Sequence, residues 1–293
     1  MRTLRITKHT QNLFSKHFAS QNFCTSNTFS QTDLIQTKLL GIKSNILAIY
    51  LNSPKNKNAL SKKLLTSLKD QITYINSSDS IRCAILISKE PKYFCAGADL
   101  KERATLNESQ IEFFVAELRQ TFQDFADTKI PTIACIDGAA LGGGLELALS
   151  ADLRIGTKSS LIGLTEVSLG IIPGAGGTQR LPRLIGVSKA KELVFTAERI
   201  NGQKAFELGI LNYLVESYEE LEAKGVEVAE KIVKNAPLAL QNAKKAINMG
   251  IGFDVKTGLE IERLCYGNII KTDDRVEGMK AFLEKRQPDY KGK

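Results

Sequence analysis

The sequence predicts an α/β domain followed by an all-helical C-terminal region. Before residue 217, apolar runs of strand length alternate with segments of helical apolar spacing. This alternation favours parallel βαβ units whose sheet faces are covered. From about residue 217 onward the patterns are helical only. We therefore divide the chain into an N-terminal segment, residues 1–32, an α/β core, residues 33–216, and a helical region, residues 217–293.

The predicted elements of the core follow in a regular order. Residues 35–52 predict two strands joined by a turn at Lys43-Ser44-Asn45. Residues 59–76 predict a helix, because their leucines recur on one side. The remaining predictions are buried strands over 81–88, 132–137 and 152–157, and helices over 107–127 and directly after a run of three glycines.

The first 32 residues differ in composition from the rest of the chain. They carry four basic residues, no acidic residue, and ten Ser or Thr. This composition is typical of a mitochondrial transit peptide and predicts a protein of the mitochondrial matrix. A basic tail without a targeting role is the alternative. Half of the formal net charge of +8 lies in this segment, so the remainder gives little support for nucleic-acid binding.

Histidine chemistry is excluded from the core. Both histidines, His9 and His17, lie in the N-terminal segment, and the five cysteines have no CxxC spacing. Histidine-based triads and most zinc sites are therefore not expected, which leaves carboxylates, Lys, Tyr or Cys for acid–base work. No run of about 18 apolar residues occurs, so no membrane span is predicted.

Gly142, Gly143 and Gly144 stand between a predicted strand and a predicted helix. Glycine lets a backbone approach a ligand closely, and the first N–H groups of a helix favour an anion or a developing oxyanion. Tight packing of the helix is the alternative explanation. No GK[ST] follows here or after the glycines of residues 174–179, so neither stretch is a phosphate-binding P-loop.

Glu146 and Glu166 are isolated carboxylates in apolar, glycine-rich surroundings. A buried, unpaired carboxylate is costly, so each must be partnered, hydrated or protonated. Glu146 has a simpler explanation as an acidic residue favoured near a helix start, and Glu166 as the partner of Arg180 in a buried ion pair. If the two instead share one cavity, their pKa values move apart and one can act as acid, the other as base.

Four segments together carry a family resemblance: FCAGADLKE, IDGAALGGGLELALSADLRI, GLTEVSLGIIPGAGGTQRLPRLIG and AFLEKRQPDYKGK. In this order they resemble the enoyl-CoA hydratase/isomerase (crotonase) superfamily over roughly residues 35–293. Within it, DLKER, LGGGLELAL and GGTQRLPR are most similar to the methylglutaconyl-CoA hydratase branch. The fold that the resemblance implies is a crotonase-type spiral of βαβ units with a helical C-terminal trimerisation region, assembled as a trimer or a dimer of trimers.

The resemblance also implies residue roles. The N–H groups of Ala98 and Gly143 are expected to form an oxyanion hole for the thioester oxygen, with Glu146 as base and Glu166 as acid on a water molecule. The residues expected to contact coenzyme A are Ala96, Asp99, Leu100, Lys101, Phe282 and Lys285, the last two partly across subunits.

The implied activity is addition of water across the Cα=Cβ bond of a 2-enoyl-CoA, with 3-methylglutaconyl-CoA of leucine degradation as a candidate substrate. Coenzyme A is then part of the substrate, and neither a separate cofactor nor a metal is expected. An isomerase of the same fold is one alternative. RNA binding through the lysine-bearing helix of residues 57–70 is another, although its lysines form no continuous row.

Overall fold

The computed structural model describes residues 34–293 and has the predicted α/β core followed by helices. The predicted N-terminal targeting segment lies outside the described residues. The ten strands are β1 Ile35–Leu40, β2 Ile46–Leu51, β3 Cys83–Ser88, β4 Tyr93–Cys95, β5 Thr132–Ile136, β6 Ala139–Leu141, β7 Leu153–Thr157, β8 Leu161–Gly163, β9 Ile200–Asn201 and β10 Tyr213–Val215.

Eleven α-helices accompany these strands in the described part of the chain. They are α1 Lys62–Ser77, α2 Leu100–Arg103, α3 Glu108–Ala126, α4 Gly143–Ser150, α5 Gly177–Ile185, α6 Val187–Phe195, α7 Gly202–Glu207, α8 Tyr218–Val233, α9 Pro237–Gly250, α10 Val255–Gly267 and α11 Asp273–Leu283. Two short 3-10 turns occur at Pro54–Asn56 and Glu166–Leu169.

The larger sheet has the strand order β1-β2-β3-β5-β7-β10. The β1–β2 pair is an antiparallel hairpin, and the other neighbours are parallel. Alternate residues of β3 belong to two separate buried clusters: Ile85 faces the cluster that includes α8, and Leu86 faces the one that includes α1 and α3. Because both faces are covered, β3 reads as a continuous apolar run.

The smaller sheet, with the order β4-β6-β8-β9, positions the candidate site. Strands β4, β6 and β8 are mutually parallel, so their carboxyl ends lie at one edge. Ala98 follows β4, Gly143 follows β6, and Glu166 follows β8. Ligand sites of parallel sheets form at this edge, and here three residues that the sequence singled out follow three adjacent strands.

The structure confirms the predicted strands and helices within a few residues, with one correction at the start of α1. The helix predicted from residue 59 begins at Lys62, because the Ser61 hydroxyl caps it by accepting a hydrogen bond from the Leu64 amide at 3.2 Å. Leu60 instead pairs with Ala98 in an isolated parallel bridge. The short strands of the smaller sheet were not predicted.

The last three helices bury few of their own side chains. Helix α9 has no buried residue, α10 has Cys265, and α11 has Asp274 and Ala281. Many large apolar side chains in this region are exposed, among them Ile251, Phe253, Val255 and Phe282. Within residues 34–293, no helix has both the length and the apolarity that a membrane span requires.

Candidate active site

A cleft of about 1740 Å³ opens at the carboxyl edge of the smaller sheet. Its lining brings together residues that are far apart in the sequence, and one arm extends along α9. Six sequence-predicted site residues are among those that line it: Ala96, Ala98, Leu100, Gly143, Glu146 and Glu166.

Two residues that line the cleft, Ala98 and Gly143, carry backbone amides that are candidate donors to a ligand. Gly143 is the first residue of α4, so its N–H has no partner within the helix. Ala98 lies in the bridge to Leu60, but that bridge uses the Gly97 carbonyl and the Asp99 amide. The pairing therefore leaves out the Ala98 N–H, which remains a candidate donor to a ligand.

Glycine at two positions allows the segments to come together. Gly97 has a φ of +92°, and a Cβ there would lie 2.7 Å from the Leu141 carbonyl oxygen and 3.4 Å from the Gly143 nitrogen. Gly142 has a φ of +53°, and its Cβ would lie 3.2 Å from Oε1 of Glu166. Any larger residue at either position would combine an unfavourable backbone with crowding.

Segment 57–60 holds the loop after β4 in place. The buried Asn58 side chain donates to the Phe94 carbonyl at 3.1 Å and to the Ser88 hydroxyl at 2.9 Å. The Lys57 carbonyl accepts from the Ala96 amide at 3.1 Å. The role of Asn58 cannot be predicted from the sequence pattern, because its contacts are 30 and 36 residues away.

Glu146 is buried, with 3% of its surface exposed, and its carboxylate is held by backbone donors. Its Oε1 accepts from the Ala175 amide at 2.8 Å and from the Gly177 amide at 2.7 Å. Burial raises the pKa of Glu146, while these two hydrogen bonds and the charges of nearby arginines oppose the rise. The Glu146 carboxylate is therefore held by these two amides and not mainly by the dipole of its own helix, α4.

The glycines of residues 174–179 acquire a role from these contacts. The turn presents two amides to Glu146 from 29 and 31 residues away. The only sign of this role in the sequence is a glycine-rich turn that fits no phosphate motif.

Glu166 has different surroundings from Glu146. Both of its carboxylate oxygens are buried and, among the described residues, neither has a hydrogen-bond partner. Burial, together with the charge of Glu146, raises the pKa of Glu166 to about 7, against the opposing effects of its own backbone amide and of the charge of Arg103. The ion pair with Arg180 that the sequence left open is wrong, because Arg180 donates to the Ala175 carbonyl and to Gln123 instead.

The two carboxylates thus belong to one site. Glu166 lies against the backbone of Gly142, and the Glu146 amide donates to the Gly142 carbonyl at 3.0 Å. Their charges interact, and their surroundings differ in hydrogen bonding. Burial raises the pKa of both carboxyl groups, but only Glu146 has backbone donors from other residues that favour its anion, and this difference supports acid–base chemistry.

Comparison with known proteins identifies the family of this chain. The model of the family described as "Enoyl-CoA hydratase/isomerase" matches residues 41–293. The chain belongs to the enoyl-CoA hydratase/isomerase family. Its predicted membership and the crotonase-type fold are thereby confirmed.

Individual relatives cover most of the chain. It is 47% identical over 250 residues to "Methylglutaconyl-CoA hydratase, mitochondrial" of Mus musculus, covering 84% of this chain and 80% of the relative. It is also 47% identical over 255 residues to "Probable enoyl-CoA hydratase 2, mitochondrial" of Arabidopsis thaliana, covering 87% and 84%. The crystal structure of an enoyl-CoA hydratase from Bacillus anthracis superposes with a TM-score of 0.86 at 47% identity, covering 89% of this chain and all of that one.

The family resemblance also implied residues that contact coenzyme A, and a single chain brings only some of them to the cleft. Asp99 acts as the cap of α2, where Oδ1 accepts from the Lys101 amide at 3.0 Å and from the Glu102 amide at 3.2 Å. Lys101 is exposed beside it. Phe282 and Lys285, at the end of α11, are not among the residues that line the cleft.

The lysine-bearing helix gives no continuous basic surface. Lys69 forms an ion pair with Glu117 at 2.8 Å, and the Lys57 ammonium lies 5.0 Å from the centre of the Tyr93 ring. Lys62 and Lys63 are exposed at the helix start. Two of the four lysines are therefore engaged within the protein, and no contact favours RNA binding.

Proposed function

We propose that this protein is a hydro-lyase that adds water across the Cα=Cβ bond of a 2-enoyl-CoA thioester. The observation that carries the proposal is the pair of buried carboxyl groups, Glu146 and Glu166, of unequal environment beside two backbone amides. The family membership and the hydratase names of relatives 47% identical to it support the same reaction.

The Ala98 and Gly143 amides polarise the substrate. Both donate to the thioester oxygen, which withdraws electrons from the conjugated double bond and makes Cβ electrophilic. The same donors stabilise the enolate-like charge that develops when the nucleophile attacks. In an acyl-transfer enzyme, one such donor lowers the activation free energy by about 3 to 4 kcal/mol.

The two carboxyl groups then divide the proton transfers. Glu146 acts as base, because two amides and the neighbouring arginines favour its anion. It takes a proton from the water whose oxygen bonds to Cβ. Glu166 acts as acid, since burial raises its pKa to about 7 and keeps a protonated form available near neutral pH. It delivers its proton to Cα, and the double-bond electrons form that new C–H bond.

The finer biology follows from the relatives and from the exposed surface. Candidate substrates include 3-methylglutaconyl-CoA of leucine degradation, because methylglutaconyl-CoA appears in the name of one relative. The compartment is the mitochondrion, and more specifically its matrix; the names of the relatives and the composition of residues 1–32 support this. The exposed apolar side chains of α9–α11 support assembly into a trimer or a dimer of trimers. Coenzyme A enters as part of the substrate.

The purified full chain should hydrate crotonyl-CoA, followed as loss of the conjugated thioester absorbance. The product should be 3-hydroxybutyryl-CoA by mass spectrometry. An enzyme that instead moves the double bond of a 3-enoyl-CoA and leaves crotonyl-CoA unchanged would be the isomerase alternative and would refute the proposal.

A further inference from the structure

One basic side chain of the cleft differs from the others. In the described part of the chain, six arginines and lysines line it, and five of them donate to protein acceptors: Arg119 to Gly174, Arg154 to Ile210, Arg180 to Gln123, Arg183 to Gln179 and Lys244 to Asp152. The sixth, Arg103, has neither an ion pair nor a side-chain hydrogen bond with residues 34–293. A guanidinium has five donors, so Arg103 retains its full capacity to bind an anion.

The position of Arg103 assigns it to the acyl end of the substrate. It is the last residue of α2, the single helical turn that Asp99 caps directly after the Ala98 amide. It lines the cleft together with Leu100 and Glu166, and its side chain is only partly exposed. Its charge is also felt by the Glu166 carboxyl. Since Glu166 protonates Cα in the proposed reaction, Arg103 lies near the acyl carbons.

We propose that Arg103 binds a carboxylate at the far end of the acyl chain and so selects a dicarboxylic enoyl thioester. The inference rests on the proposed hydratase function and names the substrate class of the same site. An acyl chain that ends in a carboxylate would bring a negative charge toward Glu146 and Glu166. A cation without a protein partner offsets that repulsion, and its planar fork matches a carboxylate.

Overall identity leaves this choice of substrate open. The Mus musculus relative carries the name of a substrate with a second carboxylate, whereas the Arabidopsis thaliana relative is named only for enoyl-CoA, and both are 47% identical to this chain. The unpartnered Arg103 is the feature of the cleft that favours the first class.

A matched pair of substrates tests the inference. Glutaconyl-CoA is crotonyl-CoA with a carboxylate in place of one hydrogen of the terminal methyl group. The wild-type chain should have a higher kcat/KM for glutaconyl-CoA. Arg103→Met, which keeps an unbranched side chain, should lower the ratio of kcat/KM for glutaconyl-CoA to kcat/KM for crotonyl-CoA roughly 10- to 100-fold, mainly through the KM for glutaconyl-CoA.

Two further variants make the test specific. Arg103→Lys keeps the charge without the fork and should retain part of the preference; a lysine variant as poor as the methionine variant would contradict recognition by charge. Arg183→Met removes another cleft cation, one that is bonded to Gln179, and should leave the substrate ratio at the wild-type value. An equal loss of preference in Arg183→Met would overturn the assignment to Arg103.

The possible failures are distinguishable. If Arg103→Met lowers the rates on both substrates equally, Arg103 acts only through Glu166 or the fold, and the inference is wrong. A wild-type chain that hydrates crotonyl-CoA but does not prefer glutaconyl-CoA also overturns it, while the proposed function stands. A wild-type chain that hydrates neither substrate contradicts the proposed function itself.

Discussion

Residue 166 carries a carboxyl group that costs the fold stability. Glu166 is 8% exposed and has no hydrogen-bond partner among the described residues, and burial raises its pKa from 4.5 to about 7. Between these two values the folded chain holds a proton that the unfolded chain releases, so stability falls as the pH rises. Above pH 7 the full cost of the buried anion applies. Keeping this buried carboxyl group lowers the stability of the protein, but it provides the site with a proton donor.

Glu166→Gln should therefore stabilise the protein at alkaline pH while it lowers activity. The Tm of the variant should exceed that of the wild type at pH 8, and the difference should shrink toward zero at pH 5, where the wild-type carboxyl is protonated. Thermal unfolding at the two pH values measures this. Glu112→Gln, at an exposed position of α3, is the control, and a Tm gain for Glu166→Gln that does not depend on pH would contradict the raised pKa.

Gly142 is a second residue at which the site limits the sequence. Gly142→Ala should cost about 1 to 3 kcal/mol of stability, because φ is +53°, and should reduce hydration at least tenfold by displacing the Glu166 carboxylate that lies 3.2 Å from the new Cβ. Gly209→Ala separates the two effects, since its φ is +82° but nothing lies within 4 Å. It should lose stability and keep activity. Full activity in Gly142→Ala would show that Glu166 does not need its present position.

At the scale of elements, long periodic segments were predictable and short ones were not. Helix α3 has both apolar spacing and a capping box from Asn107, so its bounds could be predicted within a residue. Strands β4, β6 and β8 have three residues each, too few for a period, and they exist because neighbouring strands pair with them. The smaller sheet, which positions the site, could therefore not be predicted from sequence patterns. The candidate residues that follow its strands could be predicted.

Some residues of the site could also be predicted from the sequence, and others could not. Glu146 and Glu166 could be found because a lone carboxylate in an apolar run has to be explained. The Ala175 and Gly177 amides that hold Glu146 could not, since a backbone donor leaves no trace in the side-chain pattern. Arg103 is an ordinary basic residue in the sequence, and it becomes notable only because the structure shows no ion pair and no side-chain hydrogen bond for it within residues 34–293.

The caps of α2 and α3 allow a test at this scale. Asp99→Ala and Asn107→Ala each remove a side-chain cap and should each cost about 1 kcal/mol in chemical unfolding. Asp99 adjoins the Ala98 amide and caps a helix of four residues, so its loss should also lower kcat severalfold. Asn107→Ala should keep full activity. If both variants are equally active, the turn after Ala98 does not need its cap to orient the amide.

At the scale of the whole molecule, the C-terminal helices of a single chain leave large apolar side chains exposed to solvent. Val255 is 79% exposed and Phe282 is 83% exposed, and they belong to a region with many exposed large apolar side chains, which is typical of an interaction surface. Phe282 and Lys285 also stand apart from the cleft of their own chain. Association of the chains would cover the apolar surface and would allow these two residues to contribute to a neighbouring site.

Light scattering should accordingly give a mass of three or six chains. The double variant Phe253→Asp with Val255→Asp should shift the mass toward a single chain, because a buried charge opposes association, and activity should fall with it. Lys63→Asp, at an exposed position of α1, should leave the mass unchanged. A wild-type protein that is monomeric and fully active would contradict the assembly.

The most direct measurement is the turnover of crotonyl-CoA by Glu146→Gln, Glu166→Gln and the double variant, each first checked for a native far-UV circular dichroism spectrum. Each single variant should lose about 10² to 10⁴ in kcat. The double variant should be little worse than either, because groups that act as a unit are not additive. Full turnover by either single variant would contradict the claim that the two buried carboxyl groups share the proton transfers of hydration.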